Sequence, residues 1–294
     1  MDIHCNYGIL HDCSGVEYFS DHSVKCCMVN KRSELVIQGK TVPLQYDHEG
    51  VRRKYIPSVY FYPGGQLYHI ALQEPTMFST LLQDIPAEFI TFYESGAIKR
   101  IFPRNGRISA YWSEQEELKL LEPLQFSFYF GTFTAKIIAI HFFESGRVYS
   151  ITLAPQEQIM VWTPGGTIPV RVGIALTEEG LLKSVEPGPK AIVRTPIGNV
   201  LAFDTECTGI HGDINSLCFE GDCVKSVKSL SVFTVQTAQK RISVEPYQYV
   251  SPLNDRIVLK ASTNVFFEDN KVIFKRKDRV LSFSIKNNKF DVAG

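Results

Sequence analysis

The chain has 294 residues, enough for one large β domain or two ordinary ones. Its 31 basic and 31 acidic side chains cancel, so no whole-protein field draws it toward nucleic acid or an anionic membrane. Twenty Phe and 13 Tyr in an aromatic share of 12% favour strands over helices.

The start, Met1-Asp2-Ile3-His4-Cys5, lacks the cationic lead and apolar run of a secretory signal, and no later stretch approaches the ~18 apolar residues of a membrane span. Seven cysteines form an odd set with no regular framework, as expected of free thiols in a reducing compartment. These features predict a soluble, cytoplasmic protein.

Residues 1–57 are read as an N-terminal β cap that gathers Cys5, Cys13, Cys26 and Cys27 with His4, His11, His22 and His48. Thiolate and imidazole are the ligands that zinc selects, which makes the four cysteines candidate metal ligands. The spacing contains no Cys-x₂-Cys knuckle, and small buried thiols with surface histidines are the alternative. Gly39-Lys40-Thr41 has the ending of a phosphate-binding loop, but Glu34 stands where that loop needs glycine and Pro43 opposes the helix that must follow. A turn between strands is the reading taken.

Residues 58–235 repeat one pattern. Tyr62-Pro63-Gly64-Gly65-Gln66-Leu67, Tyr93-Glu94-Ser95-Gly96-Ala97-Ile98 and Phe143-Glu144-Ser145-Gly146-Arg147-Val148 agree in spacing and residue class. Thr177 to Leu182 and Phe219 to Val224 continue the series, and Phe267 to Val272 is a fading sixth copy. Each copy is expected to be a β-hairpin closed by a type I turn and one left-handed residue, a slot held by Gly65, Gly96, Gly146, Gly180, Asp222 and Asn270. Thr163-Pro164-Gly165-Gly166 and Thr195-Pro196-Ile197-Gly198 supply a second turn type. The anchor glycines from Gly65 to Gly180 are 31, 50 and 34 residues apart, so the unit is about two hairpins with variable loops. The excess in the long interval lies near Ser113 to Lys119, either a short helix or a solvated excursion, of which the second is preferred.

Between repeats, the loop 203–213 packs Asp204, Glu206, His211 and Asp213 closely. Two carboxylates at i and i+2 with a nearby imidazole are the residue types of general acid-base catalysis, which makes these four the candidate catalytic residues. Ordinary Asx and glycine turn chemistry is the alternative. Residues 236–294 form a C-terminal cap whose last hairpin carries Lys271, Lys275, Arg276, Lys277 and Arg279. Such a strip binds phosphates or keeps an exposed strand from edge pairing, and the neutral chain favours the second role.

The pattern Phe/Tyr-x-x-Gly-x-φ-x-x-φ (φ, apolar), with a second glycine about ten residues on as in Tyr93 to Gly106, resembles the MORN-type β-repeat and especially its bacterial antitoxin-like variant. The resemblance covers roughly residues 58–235 and implies an open, elongated antiparallel meander serving as a scaffold or binding face. The chain lacks the short regular period and the His-Gly-x-Gly element of MORN arrays, so no site residue transfers.

The expected fold is therefore all-β, an antiparallel meander of repeated hairpins, with a sandwich or barrel as the alternative. Gly-x-Ser-x-Gly, His-Glu-x-x-His, Gly-x-Gly-x-x-Gly and EF-hand loops do not occur, and no cofactor is implied. The leading functional expectation is a scaffold or protein-binding module whose partner is another protein. A carbohydrate-binding protein or hydrolase using the loop 203–213 comes second, and zinc binding by the N-terminal segment third.

Overall fold

The structure is a computed structural model and describes residues 1–48, 50–207 and 211–293. It is an all-β protein of antiparallel strands with one short helix among the described residues. Two compact units make up the chain. One comprises Met1–Pro123 and Lys136–Tyr149, the other Leu124–Ala135 and Ser150–Gly294, so the division falls inside the repeat region.

In the first unit, the strands Ile3–Cys5, Gly8–Leu10, Glu34–Ile37 and Lys40–Pro43 form a four-stranded sheet. Gln38 and Gly39, both left-handed, close the hairpin between Ile37 and Lys40, so the Gly39-Lys40-Thr41 segment runs from a turn between strands, as read from the sequence, into the second of them. The larger meander runs through Cys13–Tyr18, Val24–Val29, Val59–Phe61, Leu67–Ser79, Asp84–Phe92, Ile98–Phe102 and Ile137–Phe142, each strand antiparallel to the one before. One face carries the core: Val59, Phe61, Ile70, Ile90, Phe92, Ile101, Ile140 and Phe142 are all buried. Burying each such side chain contributes roughly 1.5–3 kcal/mol. The other face carries Tyr60, His69, Phe89, Phe102 and Ile138, all half-buried.

The repeated turn has the geometry its residues demand. In the second copy Gly96 N–H donates to Tyr93 O (2.9 Å) and Tyr93 N–H to Ala97 O (2.8 Å), with Gly96 at φ 86°. The same pair of bonds recurs at Tyr62, Phe143 and Thr177, with Gly65, Gly146 and Gly180 left-handed as expected. It recurs also at Phe19, where His22 N–H donates to Phe19 O and His22 takes φ 65°, a copy that does not look like one in sequence. Two of the six expected positions are wrong by one residue. Gly221 and Asp269 are left-handed instead of Asp222 and Asn270, because Glu220 pairs directly with Cys223 and Glu268 with Lys271. The loops are then two residues long, and it is the first of the two that takes positive φ.

A tyrosine in the motif does a further job. Tyr62 Oη donates to Phe92 O (3.0 Å) and Tyr93 Oη to Phe142 O (2.9 Å), so each copy ties itself to the residue before the aromatic of the next. The third copy carries Phe143, which has no hydroxyl to extend the series.

In the second unit the ladder runs Ile159–Thr163, Gly166–Leu176, Leu182–Pro187, Leu217–Glu220, Cys223–Ser229, Thr263–Glu268, Lys271–Lys275 and Val280–Ser284. Val232–Gln236 lies between Arg241–Val244 and Lys289–Ala293 in a separate sheet, and Tyr247–Ser251 pairs with Asn254–Ala261 as a hairpin. Among the described residues no helix is long and apolar enough to cross a membrane.

Ser113 to Lys119 is not a solvated excursion. Ser113 Oγ accepts from Glu116 N–H (3.2 Å) and Glu116 Oε2 accepts from Ser113 N–H (2.7 Å), a reciprocal cap that starts a helix over Glu114–Lys119. The cap satisfies donors that a one-and-a-half-turn helix would otherwise leave to water.

Candidate functional site

The half-buried face of the first unit's meander and the segment that follows Phe102 enclose a cavity of about 580 Å³. Its floor is a row of rings crossing successive strands: Tyr60 to His69 (centroids 5.2 Å apart), His69 to Phe89 (5.0 Å) and Phe89 to Phe102 (5.6 Å). Strand alternation generates the row, since these residues are the ones left facing away from the core. Ile138 extends the floor, and Leu118 and Leu121 line the cavity from the helical segment. With apolar walls around it, the imidazole of His69 resists protonation, and its pKa is pushed down to about 4.

A network of buried charge fixes the helical segment over this floor. Glu88, 1% exposed, accepts from Arg52 Nη2 (2.8 Å), Arg53 Nη1 (3.1 Å), Arg104 Nη1 (3.0 Å) and Asn105 N–H (2.9 Å). Glu117 on the helix accepts from Arg52 Nε (3.1 Å) and Nη2 (2.9 Å), from Gly106 N–H (2.7 Å) and from Trp112 Nε1 (2.7 Å). Arg104 also donates through Nε and Nη2 to Leu120 O at the helix end. Gly106 is required here, because a Cβ would lie 2.1 Å from Glu117 Oε2.

At this end of the cavity stand Lys54 and Asn105. Lys54 Nζ donates to Asn105 Oδ1 (3.0 Å), and burial holds its pKa below the ordinary lysine value. An ammonium can only donate, which turns Oδ1 of the amide toward it. Nδ2 of Asn105, in a residue 7% exposed, is left buried without a hydrogen-bond partner. The cluster holds four cations, Arg52, Arg53, Lys54 and Arg104, against the buried carboxylates Glu88 and Glu117, with Glu114 exposed at the rim.

The sequence-predicted residues lie elsewhere. Cys26 and Cys27 are fully buried and Cys13 nearly so; Cys13 and Cys27 approach to 3.7 Å between sulfurs, and burial pushes the thiol pKa of all three up. Cys5 donates to Gly8 O (3.4 Å), His11 meets Asp2 (3.0 Å), and His22 occupies the turn described above. All seven cysteines are free, and among the described residues no group of three or more His, Cys, Asp or Glu side chains is disposed to hold a metal ion. Of the four candidate metal ligands, Cys13, Cys26 and Cys27 are therefore core thiols whose burial disfavours the thiolate that a metal needs, while Cys5 is half-buried and donates to a backbone carbonyl.

In the second unit, Asp204 and Glu206 follow the strand Gly198–Ala202 in a turn instead of sharing a strand face. Asp204 accepts from Glu206 N–H (2.9 Å) and from Lys228 Nζ (2.8 Å), and Glu206 pairs with Lys277 (2.6 Å). Asp213 accepts from Ser150 Oγ, and His211 is exposed. Thr208, Gly209 and Ile210 of this loop lie outside the described residues. Of the basic strip, Arg276 pairs with Asp278 (2.9 Å) and Lys277 lies 4.7 Å above the ring of Tyr249 as well as against Glu206.

No protein-family model, no curated protein and no solved structure matches the chain. The cavity therefore has to be read from its own residues.

Proposed function

We propose that the protein is a binding protein whose first unit takes a small apolar molecule into the cavity over Tyr60, His69, Phe89, Phe102 and Ile138. The supporting observation is the cavity itself: about 580 Å³, within the range of small-molecule sites, with an aromatic floor and polar groups gathered at one end. A network of five charged side chains holding the roof in place is more than packing alone calls for. The test uses a neutral fluorescent probe, N-phenyl-1-naphthylamine. Its emission should rise with the wild-type protein and fail to rise with Ile138→Trp, which fills the cavity from the half-buried face. Equal emission from both proteins, at unchanged melting temperature, counts against the reading.

A second reading, a protein-binding module or scaffold, is favoured by the hairpin of Tyr247–Ser251 and Asn254–Ala261. Val250, Leu253, Ile257 and Val258 on it are exposed, Leu253 almost completely at 96%. Several exposed apolar side chains on one hairpin are the composition of an interaction site. Replacing Val250, Leu253 and Val258 with serine should remove a macromolecular partner recovered by the wild-type chain in cross-linked native extract. Recovery of the same partner by the triple variant would exclude the hairpin.

A further inference from the structure

The polar end of the cavity carries more information than its apolar floor. Lys54 spends one of its three N–H donors on Asn105 Oδ1, and Asn105 Nδ2 presents its two to no acceptor. Because the ammonium bonds the oxygen of the same amide that carries Nδ2, and both residues line the cavity, the two are neighbouring donors, which suits an acceptor with two oxygens on one centre. The charge points the same way. Glu88 and Glu117 each take their hydrogen bonds from guanidinium and N–H donors; the charge of Glu117 favours the Lys54 ammonium from a distance but does not offset the effect of burial, and the cluster holds an excess of cations. A half-buried ammonium with a single neutral hydrogen-bond partner and a buried amide NH₂ with none are both costly unless something occupies the space before them.

We infer that the ligand of this cavity is an apolar, aromatic-sized carboxylate, its ring on the floor of His69 and Phe89 and its carboxylate between Lys54 Nζ and Asn105 Nδ2. The inference rests on the cavity reading above and adds the head group. A carboxylate takes up the spare donors of Lys54 and those of Asn105 Nδ2 with its two oxygens, and it brings a negative charge into direct contact with the ammonium, which Glu117 does not. A neutral alcohol or amide satisfies at most part of this set. His69 stays neutral at physiological pH, so it adds ring area to the floor and no second positive charge. A phosphate monoester, with about two negative charges and three acceptor oxygens, exceeds what one ammonium and one amide supply.

Calorimetric titration with a matched pair, biphenyl-4-carboxylate and biphenyl-4-carboxamide, reads the head group directly, since the two differ little in shape. The wild-type protein should bind the carboxylate at least tenfold more tightly than the amide. Lys54→Met should bring the carboxylate down to the level of the amide, Lys54→Arg should keep most of the preference, and Ile138→Trp should abolish binding of both. Asn105→Asp sets a carboxylate against the head group, and it should lose the biphenyl carboxylate while keeping the amide. This variant reads the same site should Lys54→Met fail to fold. Equal affinity of the wild type for the two compounds overturns the head-group assignment and leaves the cavity reading standing. Absence of binding by either compound overturns both. A preference that survives both Lys54→Met and Asn105→Asp overturns the placement of the carboxylate at this end.

Discussion

Two glutamates, one in each unit, are buried to the same 1% exposure and meet opposite surroundings. Glu88 in the first unit is enclosed by three guanidinium groups and a backbone N–H. Glu186 in the second accepts from Ser216 N–H (2.8 Å), finds its guanidinium, Arg171, only at 3.8 Å, and has no hydrogen-bond partner for Oε1. Burial raises the pKa of Glu186, and the nearby charge of Asp204 adds to it. Equal depth thus gives one carboxylate a structural task and leaves the other reluctant to carry its charge. What decides is the number of donors that the surrounding chain delivers, and Arg52, Arg53 and Arg104 deliver them only around the cavity.

The largest effect should come from breaking the saturated member. Glu88→Ala removes the carboxylate shared by three guanidinium groups, two of them buried, and should cost about 3–5 kcal/mol by denaturant unfolding. Because those same groups hold the segment over the cavity, the variant should also lose probe binding at temperatures where it is still folded. A loss below about 1 kcal/mol would mean that the arginines find water or other acceptors, and that the network is not what fixes the roof.

His69 sharpens the comparison through pH. Its folded-state pKa of about 4 lies below the 6.5 of an exposed imidazole, so the folded protein favours the neutral form. Its contribution is complete above pH 6.5, declines as pH falls from there toward 4, and does not change further below, a loss of up to about 3 kcal/mol. His69→Phe should flatten this part of the stability profile, measured as unfolding midpoints from pH 7 to pH 4. A profile as steep as that of the wild type would move the effect to another group.

The turns show what could be read from residues and what could not. Glycine in the fourth slot announces positive φ, which is why Gly65, Gly96, Gly146 and Gly180 were legible. His22 plays the same part without announcing it, because histidine tolerates this region without signalling a turn. Gly221 and Asp269 were misplaced because loop length, not residue type, decides which position is left-handed. The cavity was invisible for a different reason: Lys54, Glu88, Asn105 and Glu117 come together only through the fold, and the aromatic residues of alternating strands read as ordinary cross-strand packing. At Gly96, nothing lies within 4 Å of an added Cβ, so only backbone strain is at stake. Gly96→Val should therefore cost about 1–2 kcal/mol, and Gly96→Asn less; equal stabilities would contradict the left-handed assignment.

The helix is a smaller test of the same kind. Ser113-x-x-Glu116 is a capping pair in the sequence, yet three acidic residues in a row of polar ones suggest solvated chain. Local hydrogen bonds start the helix, and Glu117 anchors it to Arg52. Ser113→Ala should cost about 1 kcal/mol, whereas the exposed Gln115→Ala should change little. If the two variants unfold alike, the helix is held by its tertiary contacts, Glu117 to Arg52 and Arg104 to Leu120 O, and not by its cap.

The smallest effect belongs to the unsaturated glutamate, and its sign is the informative part. The raised folded-state pKa of Glu186 means that its contribution is complete below the unfolded carboxyl pKa and is lost as pH rises through the folded value. At neutral pH the wild-type protein either holds an ill-solvated charge there or takes up a proton. Glu186→Gln keeps an oxygen for Ser216 N–H and has no charge to lose, so it should match or exceed the wild-type stability at pH 7 by less than about 1 kcal/mol. The two proteins should converge near pH 4, where the glutamate is protonated. At Glu88 the same substitution removes an acceptor that three arginines share, and should destabilise at pH 7. A Glu186→Gln variant that loses stability at pH 7 as Glu88→Gln does would show that Arg171 at 3.8 Å is already partner enough, and that the contrast between the two glutamates lies in geometry and not in charge.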